Sequence, residues 1–105
     1  MSARLRAVVV DDEPGVLRGM VRLLTETGRV EVVGTAANPD EALAFPGWSE
    51  VDVVFLDINM PGMTGIELAR RLLGGPLVVF VTGDVGYVMQ AVLRPKSIRA
   101  ASRLS

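Results

Sequence analysis

The chain has 105 residues, of which half are hydrophobic and 22% are charged, and this is the size and balance of one globular domain. It has no cysteine and no histidine, which excludes disulfides, thiolate or imidazole metal sites and catalysis by histidine. The net charge is −1, and no apolar run approaches the length of a membrane span or a signal-peptide core. We therefore expect a cytoplasmic domain that makes no contact with a membrane.

The charge is unevenly distributed along the chain. Residues 1–93 carry 12 acids and 7 bases, whereas the last twelve residues carry four bases and no acid. We predict a main domain over 1–93 and a basic tail over 94–105 that is either disordered or a short helix at 97–104. The tail has no aromatic side chain to stack on bases and no fold to read them, so we expect no direct DNA binding by this chain.

Strand and helix signals alternate along the main domain. Four short runs rich in valine predict strands at residues 7–10, 30–36, 51–57 and 77–82, and the first of them is expected to be buried on both faces. Helices are predicted after the first three strands, where Pro14, Asn38 and Thr64 supply helix-start signals, and again at 84–93. The first helix carries one apolar stripe, made of Leu17, Met20, Val21 and Leu24. This alternation predicts an α/β fold, with a parallel sheet and helices on both of its faces.

Polar side chains follow the carboxyl ends of three predicted strands. Asp11 and Asp12 follow the first strand, Asp57 ends the third, and Thr82 ends the fourth. Each of these residues alone is usually a turn or cap residue, but together they converge on the sheet edge where such folds bind ligands. Three crowded carboxylates favour a bound cation, and oxygen ligands without histidine or cysteine favour Mg²⁺, Mn²⁺ or Ca²⁺. A carboxylate held beside Mg²⁺ is suited to attack a phosphorus atom and form an aspartyl phosphate.

Three segments carry a resemblance to a known family. The segments "VVVDDEP", "VVFLDINMPGMTGIELARRL" and "LVVFVTG" resemble the receiver domain of bacterial two-component response regulators, over about residues 5–92. The segment "LVVFVTGDVGYVMQAV", with Tyr87 five residues after Thr82, resembles the LytTR-type subgroup, whose members usually carry a separate DNA-binding domain. The resemblance implies a flavodoxin-like, doubly wound sheet with strand order 2-1-3-4.

The resemblance also implies a role for each residue at the sheet edge. Asp57 matches the phosphoacceptor, and Thr82 matches the switch hydroxyl. Asp12 matches the direct Mg²⁺ ligand, and Asp11 matches the ligand that acts largely through water. Asn59 matches the residue whose backbone carbonyl completes the metal site. Pro61 and Gly65 match residues that shape the loop, and Asn59 and Asp84 match positions that tune dephosphorylation. A sensor histidine kinase would supply the phosphoryl group. No enzyme activity is implied beyond self-catalysed phosphotransfer and autodephosphorylation.

The C-terminal end departs from the family pattern. The family continues with a fifth strand, a Lys-Pro pair and a last helix, but this chain reads "LRPKSIRAASRLS" after Val92, so Arg94 or Lys96 is the stand-in for the lysine. Only residues 83–93 separate Thr82 from Arg94, and a parallel crossover needs about a dozen residues or more before the next strand begins. We therefore predict that the fifth strand and last helix are missing or vestigial. The fourth strand would then be an exposed apolar edge, which favours a homodimer or a segment swap.

Three functions remain open at this point. The first is a receiver that takes a phosphoryl group on Asp57 with Mg²⁺ and switches a protein-interaction surface. The second is a pseudo-receiver that lacks the lysine, does not become phosphorylated, and acts as a protein-binding or dimerisation module. The third is a Mg²⁺-dependent phosphohydrolase with Asp57 as nucleophile, which is disfavoured because Asn59 stands where a second acid would serve as general acid.

Overall fold

Strands and helices alternate in the computed structural model, which describes residues 4–72, 74–81, 88–94 and 97–102. The elements are β1 (Leu5–Val10), α1 (Pro14–Glu26), β2 (Val30–Ala36), α2 (Pro39–Ala44), a 3₁₀ turn (Trp48–Glu50), β3 (Val53–Asp57), α3 (Gly65–Arg71), β4 (Leu77–Val81), β5 (Val88–Arg94) and β6 (Ser97–Ser102). The four predicted strands and the three helices between them are therefore present. In the described part of the chain, no helix has the length and apolar character needed to cross a membrane.

The parallel part of the sheet has the predicted strand order. β1 lies between β2 and β3, and β4 pairs with β3, so that these four strands stand in the order 2-1-3-4. All of these pairings are parallel, which places the carboxyl ends of the strands at one edge. The flavodoxin-like α/β prediction is confirmed for this part of the chain.

The two predicted helix caps are formed as the sequence indicates. The Asn38 side chain accepts a hydrogen bond from the Glu41 N–H at 2.8 Å, and the Glu41 side chain accepts one from the Ala37 N–H at 2.9 Å. The Thr64 hydroxyl accepts a hydrogen bond from the Glu67 N–H at 3.1 Å. These bonds satisfy N–H groups that lack a partner within the first turn of a helix, and they fix where α2 and α3 begin.

The sheet carries a large core on the face that α2 and α3 cover. Val8 and Leu56 of the strands pack there with Ala42 of α2 and Leu68 of α3, and each of these side chains is at most 1% exposed. Met60, which follows β3, is buried in the same cluster. The loop after Asp57 is therefore anchored to the interior.

The other face of the sheet is covered less completely by α1. This helix has no buried residue, and its predicted apolar stripe is only half-buried. Leu24 packs against a smaller cluster formed by Ala7, Val30, Val53 and Val79. Leu24 of the predicted stripe therefore packs on the sheet, while no residue of α1 is fully buried.

The α1 helix contains Gly19 in its interior, and we expect the Gly19→Ala variant to be more stable by about 0.5–1 kcal/mol. A Cβ at this position would meet no atom within 4 Å, so the added methyl group creates no clash and only restricts the unfolded chain. Urea unfolding measures the change. Gly28→Ala is the control, because Gly28 has a φ of +73° and should instead lose about 1 kcal/mol. A Gly19→Ala variant less stable than wild type would show that α1 packs differently.

The region after β4 corrects two predictions. β5 pairs with β4 in the antiparallel direction, and β6 pairs with β5 in the same way, so β4 is not an edge strand. The prediction of an exposed fourth-strand edge was therefore wrong, and the homodimer or segment swap through it has no basis in this arrangement. The crossover argument excluded only a parallel neighbour. Six residues, 82–87, separate β4 from β5, and an antiparallel partner needs no long crossover.

Both helix predictions after β4 were also wrong where they can be compared. Residues 88–93 of the predicted 84–93 helix belong to β5, and residues 97–102 of the predicted 97–104 helix belong to β6. The remaining residues of these two predictions lie outside the described residues. The described residues contain no helix after β4, and the prediction that the last helix of the family is missing stays a prediction.

Candidate metal and phosphoacceptor site

Three carboxylates meet at the carboxyl edge of the parallel sheet. Asp11 and Asp12 directly follow β1, and Asp57 is the last residue of β3, which lies beside β1. One carboxylate oxygen from each of the three lies within 4.8 Å of the other two. The Asp11 N–H also donates to the Ala36 carbonyl at 3.1 Å, which ties the end of β1 to the end of β2. The sequence prediction that these three acids converge is confirmed by this geometry.

The surroundings of Asp11 disfavour its charged form. Asp11 is only 6% exposed, and this burial raises the pKa of its carboxyl above the ordinary value. A hydrogen bond from the Glu13 N–H, at 2.9 Å, opposes that rise, while the charges of Asp12 and Glu13 add to it. Sequence reasoning had not assigned Glu13 to the site, although it is the third acid in "DDEP".

The pKa of the Asp57 carboxyl is raised for the same physical reason. Partial burial raises the pKa of its carboxyl, the Asn59 N–H opposes the rise through a hydrogen bond of 3.2 Å, and the nearby Asp11 and Asp12 add to it. These acids therefore crowd into a site that lacks a compensating charge in the described residues near it. Oxygen donors of this kind fit a hard divalent cation such as Mg²⁺, which would offset the repulsion.

The start of α3 rests directly on the backbone of Asp57. The Gly65 N–H donates to the Ile58 carbonyl at 2.8 Å, and a Cβ on Gly65 would collide with the Asp57 carbonyl oxygen. Gly65 is buried, and Gly62 in the same loop has a φ of +89°, which side chains disfavour. The resemblance had implied that Gly65 shapes the loop. The contact with Asp57 gives the physical reason why no side chain fits there.

The remaining predicted site residues are placed as follows. Asn59 is two residues beyond Asp57, and its N–H contacts the Asp57 carboxylate, while the role of its carbonyl as a ligand stays a prediction. Thr82, Asp84 and Lys96 lie outside the described residues. Arg94 ends β5, whose antiparallel register pairs Val81 with Val88 and Val78 with Ala91. The backbone of Arg94 therefore lies toward the amino ends of the parallel strands, away from the edge that holds Asp57.

Proteins of similar sequence are response regulators. The chain is 46% identical over 89 residues to an uncharacterised response regulatory protein of Vibrio vulnificus, covering 83% of this chain and 37% of that one. It is 32% identical over 90 residues to the transcriptional regulatory protein LytR of Staphylococcus aureus, again covering 83% of this chain and 37% of the other. The chain thus spans little more than a third of the length of these relatives. The resemblance to response regulators is confirmed, and the LytTR-type subgroup, on which the similarity to LytR bears, stays a prediction.

Solved structures of similar fold are receiver domains as well. The signal receiver domain of NarL from Mycobacterium tuberculosis superposes with a TM-score of 0.68 at 36% identity, covering 77% of this chain and 68% of that one. Response regulator TrrA from Thermotoga maritima, in complex with Mg²⁺ and beryllium fluoride, superposes with a TM-score of 0.63 at 34% identity, covering 77% and 71%. The family described as the response regulator receiver domain matches residues 7–94. With its three acids gathered at the end of a 2-1-3-4 parallel sheet, the chain belongs to the response regulator receiver domains.

Proposed function

We propose that this receiver accepts a phosphoryl group on Asp57 and that Asp11, Asp12, Asp57 and the Asn59 carbonyl hold Mg²⁺, or Mn²⁺ in its place. The observation that carries the proposal is the approach of the three carboxylates to within 4.8 Å of one another at one edge of the sheet. Asp57 belongs to a strand between two others, so its backbone position is rigid. A bound divalent cation would neutralise charge on the phosphoryl oxygens during transfer.

The protein's own groups prepare Asp57 as the nucleophile. One carboxylate oxygen accepts the Asn59 N–H, and the other oxygen would form the bond to phosphorus. That bond forms as the bond between phosphorus and the donor's leaving atom breaks, and the donor takes the released electron pair. Burial and the nearby acids raise the pKa of Asp57, and a bound cation would oppose that rise and favour the ionised carboxylate that attacks phosphorus.

We propose a sensor histidine kinase as the donor in the cell, by analogy with the family. The reaction is then self-catalysed transfer to Asp57, followed by autodephosphorylation, rather than turnover of a substrate. The added negative charge would change which surface near the edge of the sheet a partner can bind.

Intact-mass measurement after incubation with acetyl phosphate and Mg²⁺ tests the proposal. We expect one phosphoryl adduct on the wild-type chain and none when Mg²⁺ is chelated. Asp57→Asn keeps the shape of the side chain and its bond from Asn59, but it removes the nucleophile and should remove the adduct. Asp40→Asn is the matched control, because Asp40 is an exposed acid in the first turn of α2 and should leave the adduct unchanged. An adduct on folded Asp57→Asn would contradict the assignment.

One observation favours the pseudo-receiver as a second candidate. The antiparallel direction of β5 carries the backbone of Arg94 away from Asp57, so Arg94 is poorly placed to replace the lysine of the family. If wild-type protein that is folded and binds Mg²⁺ gives no adduct with acetyl phosphate, the pseudo-receiver becomes the better description. The chain would then act through the proteins that it binds.

A further inference from the structure

A cavity lies at the opposite edge of the sheet from the three acids. It has a volume of about 390 Å³, and it is lined by the Gly74–Gly75 turn together with Leu43, Trp48, Ser49, Arg71, Leu72 and Pro76. We call it the Trp48 cavity. Trp48 precedes β3 and Pro76 precedes β4, so the cavity lies at the amino ends of these strands. Each strand has five residues, which separates the cavity from the Asp57 edge by about 16 Å.

The apolar wall of the Trp48 cavity is already in place. The Trp48 indole N–H donates to the Ala42 carbonyl at 2.8 Å, and the ring meets Phe45 edge-on, with 5.4 Å between the ring centroids. Leu72 is 8% exposed and belongs to the large core, whereas Leu43 stands at the rim and is 37% exposed. Since the ring is held by its neighbours, a ligand would not have to order it on binding.

Among the described residues that line the cavity, Arg71 is the one that carries a charge. Arg71 is exposed in the last turn of α3, and none of the ion pairs within the described residues involves it. Glu50, beside the lining residue Ser49, is an acid close in sequence, but its carboxylate pairs with Arg6 at 3.5 Å. A basic side chain at a helix C-terminus also interacts with the helix dipole. Arg70 and Arg71 both lie in the last turn of α3, and of the two Arg71 lines the cavity.

We propose that the Trp48 cavity is a docking site for a peptide segment of a partner protein that carries one apolar side chain next to a carboxylate. The volume lies at the small end of the range for ligand sites and suits one leucine-sized or aromatic side chain. The carboxylate complements Arg71, and the exposed Gly74–Gly75 turn leaves room for an extended backbone. This site does not depend on the chemistry of Asp57.

The single tryptophan of the chain reports on binding directly. The probe is an acetylated tripeptide amide with leucine between two glutamates, and the control probe has two lysines in place of the glutamates. We expect a saturable change in Trp48 emission with the glutamate peptide, with a Kd on the order of 1 mM, and a response at least fivefold weaker with the lysine peptide. No saturable change up to about 20 mM, or an equal response to both peptides, would overturn the proposal.

Two pairs of matched variants locate the site. Arg71→Gln should weaken binding of the glutamate peptide about two- to fivefold, and Arg70→Gln should leave it unchanged. Leu43→Gln should weaken binding, while Leu23→Gln, at a position of α1 that is 62% exposed, should not. All four side chains are on the surface, and circular dichroism verifies that each variant is folded. Equal effects within either pair would show that the peptide binds elsewhere and would overturn the assignment.

Discussion

The Gly65→Ala variant is expected to lose about 2–3 kcal/mol of its free energy of unfolding and most of its phosphorylation by acetyl phosphate. The added Cβ would collide with the Asp57 carbonyl oxygen, and its neighbours there are backbone atoms, which cannot rotate away as a flexible side chain would. The start of α3 must therefore move, or the end of β3 must move with the carboxylate it carries. Urea unfolding gives the stability, and intact mass gives the extent of phosphorylation.

Gly19→Ala is the matched control for this experiment. It is the same substitution in another helix, where the added Cβ meets open space, and it should change stability in the opposite direction. Its phosphorylation should equal that of wild type. If Gly65→Ala were as stable and as readily phosphorylated as Gly19→Ala, the contact between α3 and the backbone of Asp57 would not be a constraint on the site.

The Asp11→Asn variant is expected to be more stable than wild type at neutral pH when metal is chelated, by about 1–4 kcal/mol. Asn keeps an oxygen that accepts the Glu13 N–H, but it removes a buried charge beside Asp12 and Asp57. Urea unfolding in the presence of a chelator measures the difference. Asp40→Asn serves as the control, because Asp40 is exposed on α2 and should change stability by less than about 0.5 kcal/mol.

The pH dependence of this gain has a definite sign. The pKa values of Asp11 and Asp57 are raised above 3.8, so the folded chain binds these protons more tightly than the unfolded chain does. The stability that proton binding at these two carboxyls adds to the folded wild-type chain is fully present below pH 3.8. It is lost as the pH rises through the raised pKa values. The gain of Asp11→Asn over wild type should therefore be smallest in acid and grow toward neutral pH. A gain that is constant across this range would exclude the titration of Asp11 as its cause.

Mg²⁺ should reduce the stability advantage of Asp11→Asn over wild type. A cation that binds only the folded state adds about 2.7 kcal/mol of stability at a hundredfold excess over its Kd. Wild type should gain this stability, and Asp11→Asn should gain less because it has lost one carboxylate of the cluster. Equal gains for the two proteins would place the cation outside the three acids.

The sequence was sufficient to predict the three acids at the carboxyl edge of the sheet, because short-range signals place each of them there. An apolar run that stops at an acid, followed by a helix-start signal, places the acid at a strand end without any knowledge of distant contacts. Asp11, Asp12 and Asp57 each have this setting, and the parallel topology then brings them together. The contact of Gly65 with the Asp57 carbonyl could not be predicted in this way, because it depends on how closely a helix approaches a strand.

The segment after β4 had no such signal. The run from Val88 to Leu93 fits a helix or a strand, and the length of the connection excluded a parallel partner but not an antiparallel one. The Trp48 cavity was missed for another reason. Its walls come from α2, the 3₁₀ turn, the end of α3 and the turn before β4, which are separated in sequence and have no shared motif.

Because α1 is only shallowly buried, the Asp11 carboxylate and Asp57 differ in how rigidly they are held. Helices that bury little apolar surface open locally at a lower free energy than the strands of the core do. The N–H that holds the Asp11 carboxylate belongs to Glu13, the residue at the start of α1, whereas Asp57 is held by a buried strand and by the start of α3. Local opening of α1 would therefore remove the hydrogen bond that holds the Asp11 carboxylate, while the Asp11 backbone and Asp57 stay in place. The proposed phosphoacceptor is a fixed part of the sheet, whereas the order of the Asp11 carboxylate depends on a single loosely packed helix.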